Sequence, residues 1–247
     1  MLLDVPLAKI GGKGLFTKEI EQELLDGTID LAVHSLKDMP TVLPEGLCLT
    51  VITERANAGD AFVSNKYSSI EEMPEGAVLG TSSLRRRAQF LAKRPDLKIV
   101  DLRGNVDTRL KKLDEGQMDA IILAAAGLTR LGHQDRIKQI IPHEYCLPAV
   151  GQGALAIECR TDNFKVRQML DFLNDTDTRL ATDAERAFLG LIEGGCQVPI
   201  GVHATVQDGH IHIEAVIASL DGNTVLRDTA EGNAADAAAL GRTLGQK

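Results

Sequence analysis

Apolar and polar positions along the first half of the chain follow helical and strand periods in turn. The pattern predicts a helix over 19–25, which Thr17 caps and Gly27 ends, and then a buried strand over 29–33. Further strands are expected over 77–79, 97–100 and 118–123, and further helices over 83–93 and 105–115. Because strands that alternate with helices build mostly parallel sheets, this half indicates an α/β fold.

Residues 25–33 and 114–122 resemble each other, since each segment is a helix end, a glycine and an aspartate that leads into an apolar strand. Chance produces such a likeness in many α/β proteins. The alternative is a pair of similar lobes with a cleft between them. The apolar run 154–159, which follows the Gly151–Gly153 turn, would then return the chain to the first lobe.

The last third has a different pattern. A long amphipathic helix is expected over 175–192, followed by strands over 202–206, 210–218 and 224–229 and a helical pattern over 234–244. Asp-Gly pairs separate these strands, and Asp-Gly is a strong hairpin signal. The segment therefore predicts a small α+β domain with an antiparallel three-stranded sheet. Neither chain end carries a clear start or stop signal, so we expect both to be cut.

Composition narrows the possible classes. A chain of 247 residues, with 44% apolar and 25% charged residues, is typical of a globular protein of one to three domains. It has no apolar stretch of the ~20 residues that span a bilayer and no secretory signal. A net charge of −8, 3% aromatic residues and no tryptophan argue against a nucleic-acid partner.

Cysteine and histidine spacing argues against metal and disulfide frameworks. The four cysteines form no C-x-x-C motif, which favours a reducing cytosol. Cys48, Cys146 and Cys159 lie in apolar or strand-like segments and are expected in the core. His210 and His212 share one strand face without a third ligand, so no metal site is predicted.

The segment Gly80–Arg87 places a strand end before a helix start. Ser82 or Ser83 can cap this helix, and the free amides of its first turn attract an anion. Three arginines in that turn oppose the helix dipole at a cost of roughly 0.3–1 kcal/mol each, which suggests that an anionic ligand offsets them. A solvated basic helix face is the alternative. Successive helical residues diverge by ~100°, so the three cannot all point into one site.

The segment Leu102–Arg109 repeats this arrangement, with Asn105 as the helix cap. Arg103 and Arg109 lie near the strand end, and Arg130 is expected after another strand. Ligands of open α/β sheets collect at the carboxyl ends of strands, and arginine binds carboxylates with two parallel hydrogen bonds. A pocket for several carboxylates is one interpretation, and scattered surface ion pairs are the other.

In the segment Val33–Pro40 an apolar strand leads directly into polar residues. Asp38, beside Lys37, can stay ionised and act on cationic intermediates or on protons. The nearby serine and histidine do not indicate a hydrolase, because no Gly-x-Ser-x-Gly elbow is present. An ordinary capped turn is the alternative.

Two glycine-rich segments complete the candidates. Lys9–Phe16 is a basic loop that lacks the Ser or Thr of a Walker motif, and it is either a mobile lid or a plain loop. Glu193–Pro199 places Cys196 on an irregular loop, where an accessible thiol can be a nucleophile or an attachment point. A lone cysteine is more often inert.

Together these motifs resemble the porphobilinogen deaminase family, and the resemblance extends over essentially the whole chain. The combination of the motifs in His34–Asp38, Gly80–Arg86 and Gly194–Pro199 is highly specific. The resemblance implies two periplasmic-binding-protein-like α/β lobes and a small α+β domain with an antiparallel three-stranded sheet. The first lobe is expected to be incomplete, because the family's amino-terminal strand and helix are absent. The implied domains are 1–53 with 154–172, then 54–153, and then 173–247.

The resemblance also implies the reaction and its residues. The family condenses four porphobilinogen molecules head to tail, releasing ammonia, to give hydroxymethylbilane. Its dipyrromethane cofactor would form a thioether with Cys196, and Asp38 would be the catalytic residue. Residues implied to bind the cofactor are Ser35, Lys37, Thr81, Ser83, Arg85, Arg86, Arg103 and Arg109. Those implied to bind substrate are Lys9, Lys13, Phe16, Arg103 and Arg130.

The implied setting is a cytoplasmic monomer whose partner is the small molecule porphobilinogen, without nucleic acid, membrane or metal. Two alternatives remain at this point. A non-catalytic two-lobed anion-binding protein would need the arginines but neither Asp38 nor Cys196. An inactive fragment that serves as an interaction module is the other. The enzyme requires that the arginines, Asp38 and Cys196 converge on one crevice.

Overall fold

A computed structural model describes residues 15–192 and 198–247, and in the first helix side chains from Thr17 onward. The helices are α1 (Leu15–Leu25), α2 (Leu84–Lys93), α3 (Val106–Asp114), α4 (Ala125–Arg130), α5 (Phe164–Leu170), α6 (Thr176–Ile192) and α7 (Ala237–Gln246). The strands are β1 (Ala32–Ser35), β2 (Leu47–Ile52), β3 (Asp60–Ser64), β4 (Val78–Gly80), β5 (Lys98–Val100), β6 (Ala120–Ala124), β7 (Gln139–Ile140), β8 (Leu155–Arg160), β9 (Ile200–Gln207), β10 (His210–Ala218) and β11 (Val225–Asn233).

The strands form three sheets. The first has the order β1-β8-β2, the second β5-β4-β6-β3-β7 and the third β11-β10-β9. The apolar run predicted to return the chain to the first lobe is strand β8, and it lies between β1 and β2. The mixed α/β fold with a small antiparallel three-stranded sheet is thereby confirmed.

The expectation of mostly parallel sheets was wrong for the first sheet and held in part for the second. In the second sheet only β4 pairs in parallel, with β5 and β6, whereas β3 runs antiparallel to β6 and β7. In the first sheet β8 is antiparallel to both neighbours. The pattern missed β2 and β3, and these strands carry the chain from the first sheet into the second without an intervening helix. Helical crossovers are found where the strands are parallel, since α2 joins β4 to β5 and α3 joins β5 to β6.

Element boundaries agree with the sequence to within a few residues in most cases. Thr17 is an exception, because it lies inside α1 and not at its cap. The strand predicted over 29–33 lies a few residues later, as β1. The strand expected before Arg130, over 124–128, is largely helix α4. Short apolar runs of this kind do not distinguish a strand from a buried helix by periodicity alone.

The second sheet is buried on both faces. Phe62, Leu79 and Ile122 pack on one face, and Val63, Ile121 and Leu123 on the other, and all six are almost fully buried. Strands buried on both faces read as continuous apolar runs, which is the pattern in β3 and β6. This packing fixes the ends of β4 and β5, from which the arginine-bearing helices start.

A buried ion pair joins the third sheet to the segments that link the first two. The Arg55 guanidinium donates to both oxygens of Glu185, at 2.6 and 3.2 Å. Glu185, fully buried on α6, also accepts from the backbone amides of Gly151 and Ala204. Buried charges are tolerated when they are paired and hydrogen-bonded in this way. The pair holds α6 against both linking segments.

Helices α6 and α7 pack closely over the third sheet at Gly241. A Cβ atom at this position would overlap the Ala184 carbonyl of α6. Substitution of Gly241 by alanine should therefore force the two helices apart and lower the free energy of unfolding by about 1–3 kcal/mol. Gly127→Ala is the matched control, because this helical glycine has nothing within 4 Å of the added Cβ.

Thermal denaturation of the two variants checks this prediction. The melting temperature should fall for Gly241→Ala and stay level or rise slightly for Gly127→Ala, since alanine favours a helix over glycine. Equal melting temperatures for the two variants would show that the α6–α7 contact is not tight.

Candidate active site

The start of helix α2 is built by two hydroxyl side chains. Ser83 is the cap, and its Oγ accepts from the Arg86 amide at 3.4 Å. Thr81, buried at the end of β4, accepts from the Ser83 amide at 3.2 Å. Ser82 bridges instead to the Leu102 backbone. The capping prediction is confirmed for Ser83, and the turn aims the next residues inward.

Arg85 and Arg86 both turn into the protein and converge on Asp60. Arg85 Nη1 lies 2.8 Å from Asp60 Oδ2, and Arg86 Nη2 lies 2.7 Å from Asp60 Oδ1. Arg85 also donates to the Leu147 carbonyl and Arg86 to the Ile122 carbonyl. The solvated basic helix face is excluded for these two residues. The sequence suggested an anionic ligand beside these arginines, but the anion that pairs with them in the structure is the Asp60 carboxylate of the same chain.

Asp60 is fully buried at the first position of β3. Burial alone raises the pKa of its carboxyl, but the charges and hydrogen bonds of Arg85 and Arg86 outweigh burial and hold that pKa well below its usual value. Gln152 Nε2 donates to Asp60 Oδ1 at 2.9 Å and to the Ala58 carbonyl. Asp60 therefore stays ionised, and it ties the arginines to the segment that leads into β8.

The sequence interpretation missed Asp60 and Gln152. Asp60 opens a run in which all five positions of β3 are buried, and Asp is almost never buried unless it is paired. A carboxylate where the pattern requires a buried residue was thus an available signal. Gln152 gave no signal of its own, because its role depends on a contact with a residue 92 positions away.

The cluster carries more positive than negative charge. Two guanidinium groups share one carboxylate, and the buried Nε atoms of Arg85 and Arg86 have no hydrogen-bond partner among residues 15–192 and 198–247. Unpartnered donors in a buried site are costly unless a ligand satisfies them. The arrangement fits a ligand that brings several carboxylates, which is the chemistry of a pyrrole bearing acetate and propionate side chains.

Lys37 brings the first sheet into this electrostatic environment. It follows β1 in a short 3₁₀ helix, Leu36–Asp38, which begins after the half-buried Ser35. Burial and then the charge of Arg86 lower the pKa of Lys37 to about 8, although Asp38 and Asp60 act in the opposite direction. The polar end of β1 and the start of α2, predicted from separate motifs, are therefore neighbours in space.

Asp38 is exposed beside Lys37, so its carboxylate is accessible to a bound small molecule. His34, two residues before Leu36, lies 3.0 Å from the buried Glu158 of β8, measured from Nε2 to Oε2. The histidine is thus held by a carboxylate of the neighbouring strand. This contact agrees with the rejection of a Ser-His-Asp hydrolase at this motif.

Arg109 is a third cation near Arg86. Its Nε donates to the Gly104 carbonyl at 2.7 Å, and Asn105 caps its helix through the Thr108 amide, as expected. Burial and then the charge of Arg86 lower the pKa of Arg109. Both effects disfavour its positive charge, and a bound anion would relieve the repulsion from Arg86.

The remaining candidate arginines are less clearly part of the cluster. Arg103 is exposed, and its carbonyl accepts a hydrogen bond from the Lys112 ammonium. Arg130 was expected directly after a strand, but it is the last residue of helix α4. Its Nη2 donates to the Gly153 carbonyl at 2.6 Å. It therefore lies at the segment that links the second sheet to β8.

Several candidates lie outside the described residues. These are Lys9, Lys13 and Cys196, together with the side chain of Phe16. Within 15–192 and 198–247, no cluster of three or more histidine, cysteine or acidic side chains could hold a metal ion. No helix among these residues is long and apolar enough to cross a bilayer.

This fold and site define an α/β protein with a cationic site suited to a small molecule that carries several carboxylates. The chain belongs to the porphobilinogen deaminase family. The family's sequence model "Porphobilinogen deaminase, dipyromethane cofactor binding domain" matches residues 1–168, and "Porphobilinogen deaminase, C-terminal domain" matches residues 180–247.

Curated relatives agree with these matches. The porphobilinogen deaminase of Desulforamulus reducens is 52% identical over 246 residues, which are 100% of this chain and 80% of that protein. The porphobilinogen deaminase of Desulforudis audaxviator is 55% identical over 243 residues, which are 98% of this chain and 79% of that protein.

Solved structures give more distant likenesses. The methionine-binding protein MetQ is 17% identical with a TM-score of 0.43, over 62% of this chain and 71% of that one. A nutrient-binding protein from Burkholderia cenocepacia, bound to methionine, is 12% identical with a TM-score of 0.42, over 60% of this chain and 73% of that one. These likenesses are too distant to indicate a ligand for this chain.

Substituting Asp60 by asparagine tests the central ion pair. The change leaves two buried guanidinium groups without their counter-charge and should lower the free energy of unfolding by about 3–5 kcal/mol. Asp30→Asn is the matched control, because Asp30 has a 74% exposed side chain, lies 3.5 Å from Arg160 and should change stability little. Urea denaturation measures both, and similar midpoints for the two variants would contradict the assignment.

The lowered pKa of Lys37 predicts a distinctive reactivity. Its amine is half deprotonated near pH 8, so its acylation rate should level off about two pH units earlier than that of an ordinary lysine, whose pKa is ~10.4. Lys111, with an exposed side chain, is the internal control. Acetic anhydride labelling followed by peptide mass spectrometry gives both profiles. Identical profiles for the two lysines would refute the prediction.

Proposed function

We propose that this chain condenses four porphobilinogen molecules head to tail, releasing ammonia, to form hydroxymethylbilane in tetrapyrrole biosynthesis. The observation that carries the proposal is the convergence of cationic residues from separate motifs, in a member of the porphobilinogen deaminase family. Lys37 and Arg109 both lie within the electrostatic influence of Arg86. The site thus accumulates positive charge inside a protein of net charge −8.

The charge of the reaction partners explains this concentration of cations. Each pyrrole brings two carboxylates, so the cofactor and four condensed substrates accumulate about a dozen negative charges near the arginines. Arginine suits this role because its planar guanidinium binds carboxylates with two hydrogen bonds and stays charged. The unpartnered Nε atoms of Arg85 and Arg86 have the donor chemistry that such carboxylates require.

The cofactor implied by the family is dipyrromethane, and the residues present fit it. Arg85, Arg86 and Arg109 would bind its carboxylates, together with Lys37 and Ser83. Ser35, Thr81 and Arg103 are further candidates, and Cys196 would supply the thioether sulfur. When bound, dipyrromethane supplies the pyrrole carbon to which the first substrate is joined. Lys9, Lys13, Phe16, Arg103 and Arg130 are the proposed substrate-binding residues.

Asp38 is the proposed catalytic residue. Its exposed carboxylate beside Lys37 is placed to accept a hydrogen bond from a pyrrole nitrogen and to move the proton that accompanies ammonia release. A fixed carboxylate also stabilises the electron-poor substrate pyrrole that remains after ammonia leaves. Asp38 and Lys37 also interact, since the charge of Asp38 raises the pKa of Lys37 against the effect of burial.

The domain division expected from the sequence belongs to this proposal. Residues 1–53 with 154–172 would form one lobe, 54–153 the second, and 173–247 the cofactor-bearing domain. The grouping of strands into three sheets supports these limits. Movement of the lobes about the linking segments would make room for the growing product. We further propose that the protein acts as a cytoplasmic monomer.

Substitution of Asp38 tests the catalytic assignment. Asp38→Asn keeps the shape of the side chain but removes its charge, and turnover of porphobilinogen should fall by about 10²–10⁴-fold. Asp162→Asn is the control, because Asp162 has an 83% exposed side chain at the far end of β8 and should leave turnover unchanged. Ammonia release per minute is the measured quantity. Near-normal turnover by Asp38→Asn would overturn the assignment.

Intact mass separates the enzyme from its alternatives. A folded sample should carry a covalent adduct on Cys196 that gives the pyrrole colour with Ehrlich's reagent, and Cys196→Ser should lack it. A folded sample with a bare Cys196 that still binds carboxylates would favour the non-catalytic anion-binding protein. Thermal denaturation establishes in each case that the sample is folded.

A further inference from the structure

Two cysteines that the proposed chemistry does not use lie directly opposite each other in the first sheet. Cys48 of β2 and Cys159 of β8 are partners in the antiparallel register. Both are free thiols. Directly opposed residues of antiparallel strands have Cβ atoms ~4.5–5.5 Å apart, and their side chains share one face of the sheet. This spacing is close to what a disulfide requires, which is a Cβ separation of ~3.5–4.5 Å.

The two thiols interact with each other. Burial, then the Cys48 thiol and its hydrogen bond with Cys159, raise the pKa of Cys159 to about 11. The register places the two side chains on the same face of the sheet, and the influence of Cys48 on the pKa of Cys159 agrees with that placement. Thr50 and the charge of Arg167 act in the opposite direction on that pKa. The Cys159 sulfur is therefore a neutral thiol near neutral pH.

Access differs between the two sulfurs. Cys48 is half-buried, whereas Cys159 is fully buried. The helix α5, which packs on β2 and carries Arg167, has no buried residue of its own, and Phe164 at its start is 72% exposed. A short helix held by so little apolar burial opens readily, which admits small reagents to the sulfur pair.

We propose that Cys48 and Cys159 form a reversible oxidation site in which a peroxide or a low-molecular-weight disulfide converts the two thiols into a cross-strand disulfide. With hydrogen peroxide, the sulfur of the half-buried Cys48, which is the more accessible of the two, is oxidised to a sulfenic acid and one water is released. The Cys159 sulfur then attacks the Cys48 sulfur, its thiol proton leaves with the hydroxyl group as a second water, and the S–S bond forms. With a low-molecular-weight disulfide, the Cys48 sulfur first forms a mixed disulfide and releases one thiol, and attack by Cys159 on the Cys48 sulfur releases the second thiol. A dithiol reverses the reaction and is itself oxidised to a disulfide.

The disulfide would strengthen the first sheet without altering the cationic site. It closes a loop of about 110 residues, and covalent closure of a long loop disfavours the unfolded chain. Cys48 lies near the start of β2 and Cys159 near the end of β8, so both are remote from the linking segments at the other ends of these strands. Domain movement and turnover should therefore persist in the oxidised protein.

The test is performed on the full chain with hydrogen peroxide and, separately, oxidised glutathione. After denaturation, free thiols are blocked with iodoacetamide and the protein is digested. The expected product is one linked peptide pair containing Cys48 and Cys159, with loss of two alkylation sites, reversal by dithiothreitol and a melting temperature several °C higher. Turnover of porphobilinogen should change less than twofold.

Cys48→Ser is the matched variant, because the substitution is nearly isosteric at a half-buried position. Under the same treatment its Cys159 should remain fully alkylated and its melting temperature should not rise. The proposal is overturned if the wild-type cysteines stay alkylatable, if Cys48 retains glutathione and forms no bond with Cys159, or if either cysteine links elsewhere. Since these readouts are thiol counts, linked peptides and melting temperatures, they are independent of whether the proposed reaction is correct.

Discussion

The carboxylate of Asp60 is the interaction on which the candidate site depends. It holds Arg85 and Arg86 at 2.8 and 2.7 Å and accepts a third hydrogen bond from Gln152. Two guanidinium groups cannot be buried side by side without such a counter-charge, because desolvation costs several kcal/mol per ion. One carboxylate compensates only one of them. The remaining positive charge is what makes this point suitable for a carboxylate ligand.

The same carboxylate connects the site to the segments that join the sheets. Gln152 extends from Asp60 to the residues before β8, and one residue earlier Gly151 donates its amide to Glu185 of α6. Glu185 in turn holds Arg55 on the other linking segment. Helix α6 is thus attached to Asp60 and the arginine cluster through Glu185, the Gly151 amide and Gln152. A shift of one lobe would therefore change the position of Asp60 and its arginines through these hydrogen bonds.

Local patterns allowed much of the candidate site to be predicted. Gly80–Arg87 and Leu102–Arg109 each predict a strand end followed by a capped helix, because a cap is a short-range interaction within one turn. Ser83 and Asn105 are the observed caps. The arginines follow from the same segments. The patterns did not predict that Arg85 and Arg86 pair with a carboxylate of the same chain, that of Asp60. Asp60 lies 25 positions from Arg85, and nothing local connects the two.

The sequence by itself determined most of the helices, the small antiparallel sheet and the motifs that indicate the family, because periodicity, caps and Asp-Gly turns act over a few residues. Tertiary structure alone decided that β3 runs antiparallel in the second sheet, that Lys37 lies under the influence of Arg86, and that Cys48 opposes Cys159. The reason is that strand direction and long-range pairing depend on how apolar faces of distant segments pack. Burial and neighbouring charges then shift the pKa of groups such as Asp60 and Lys37, and no local pattern specifies those neighbours.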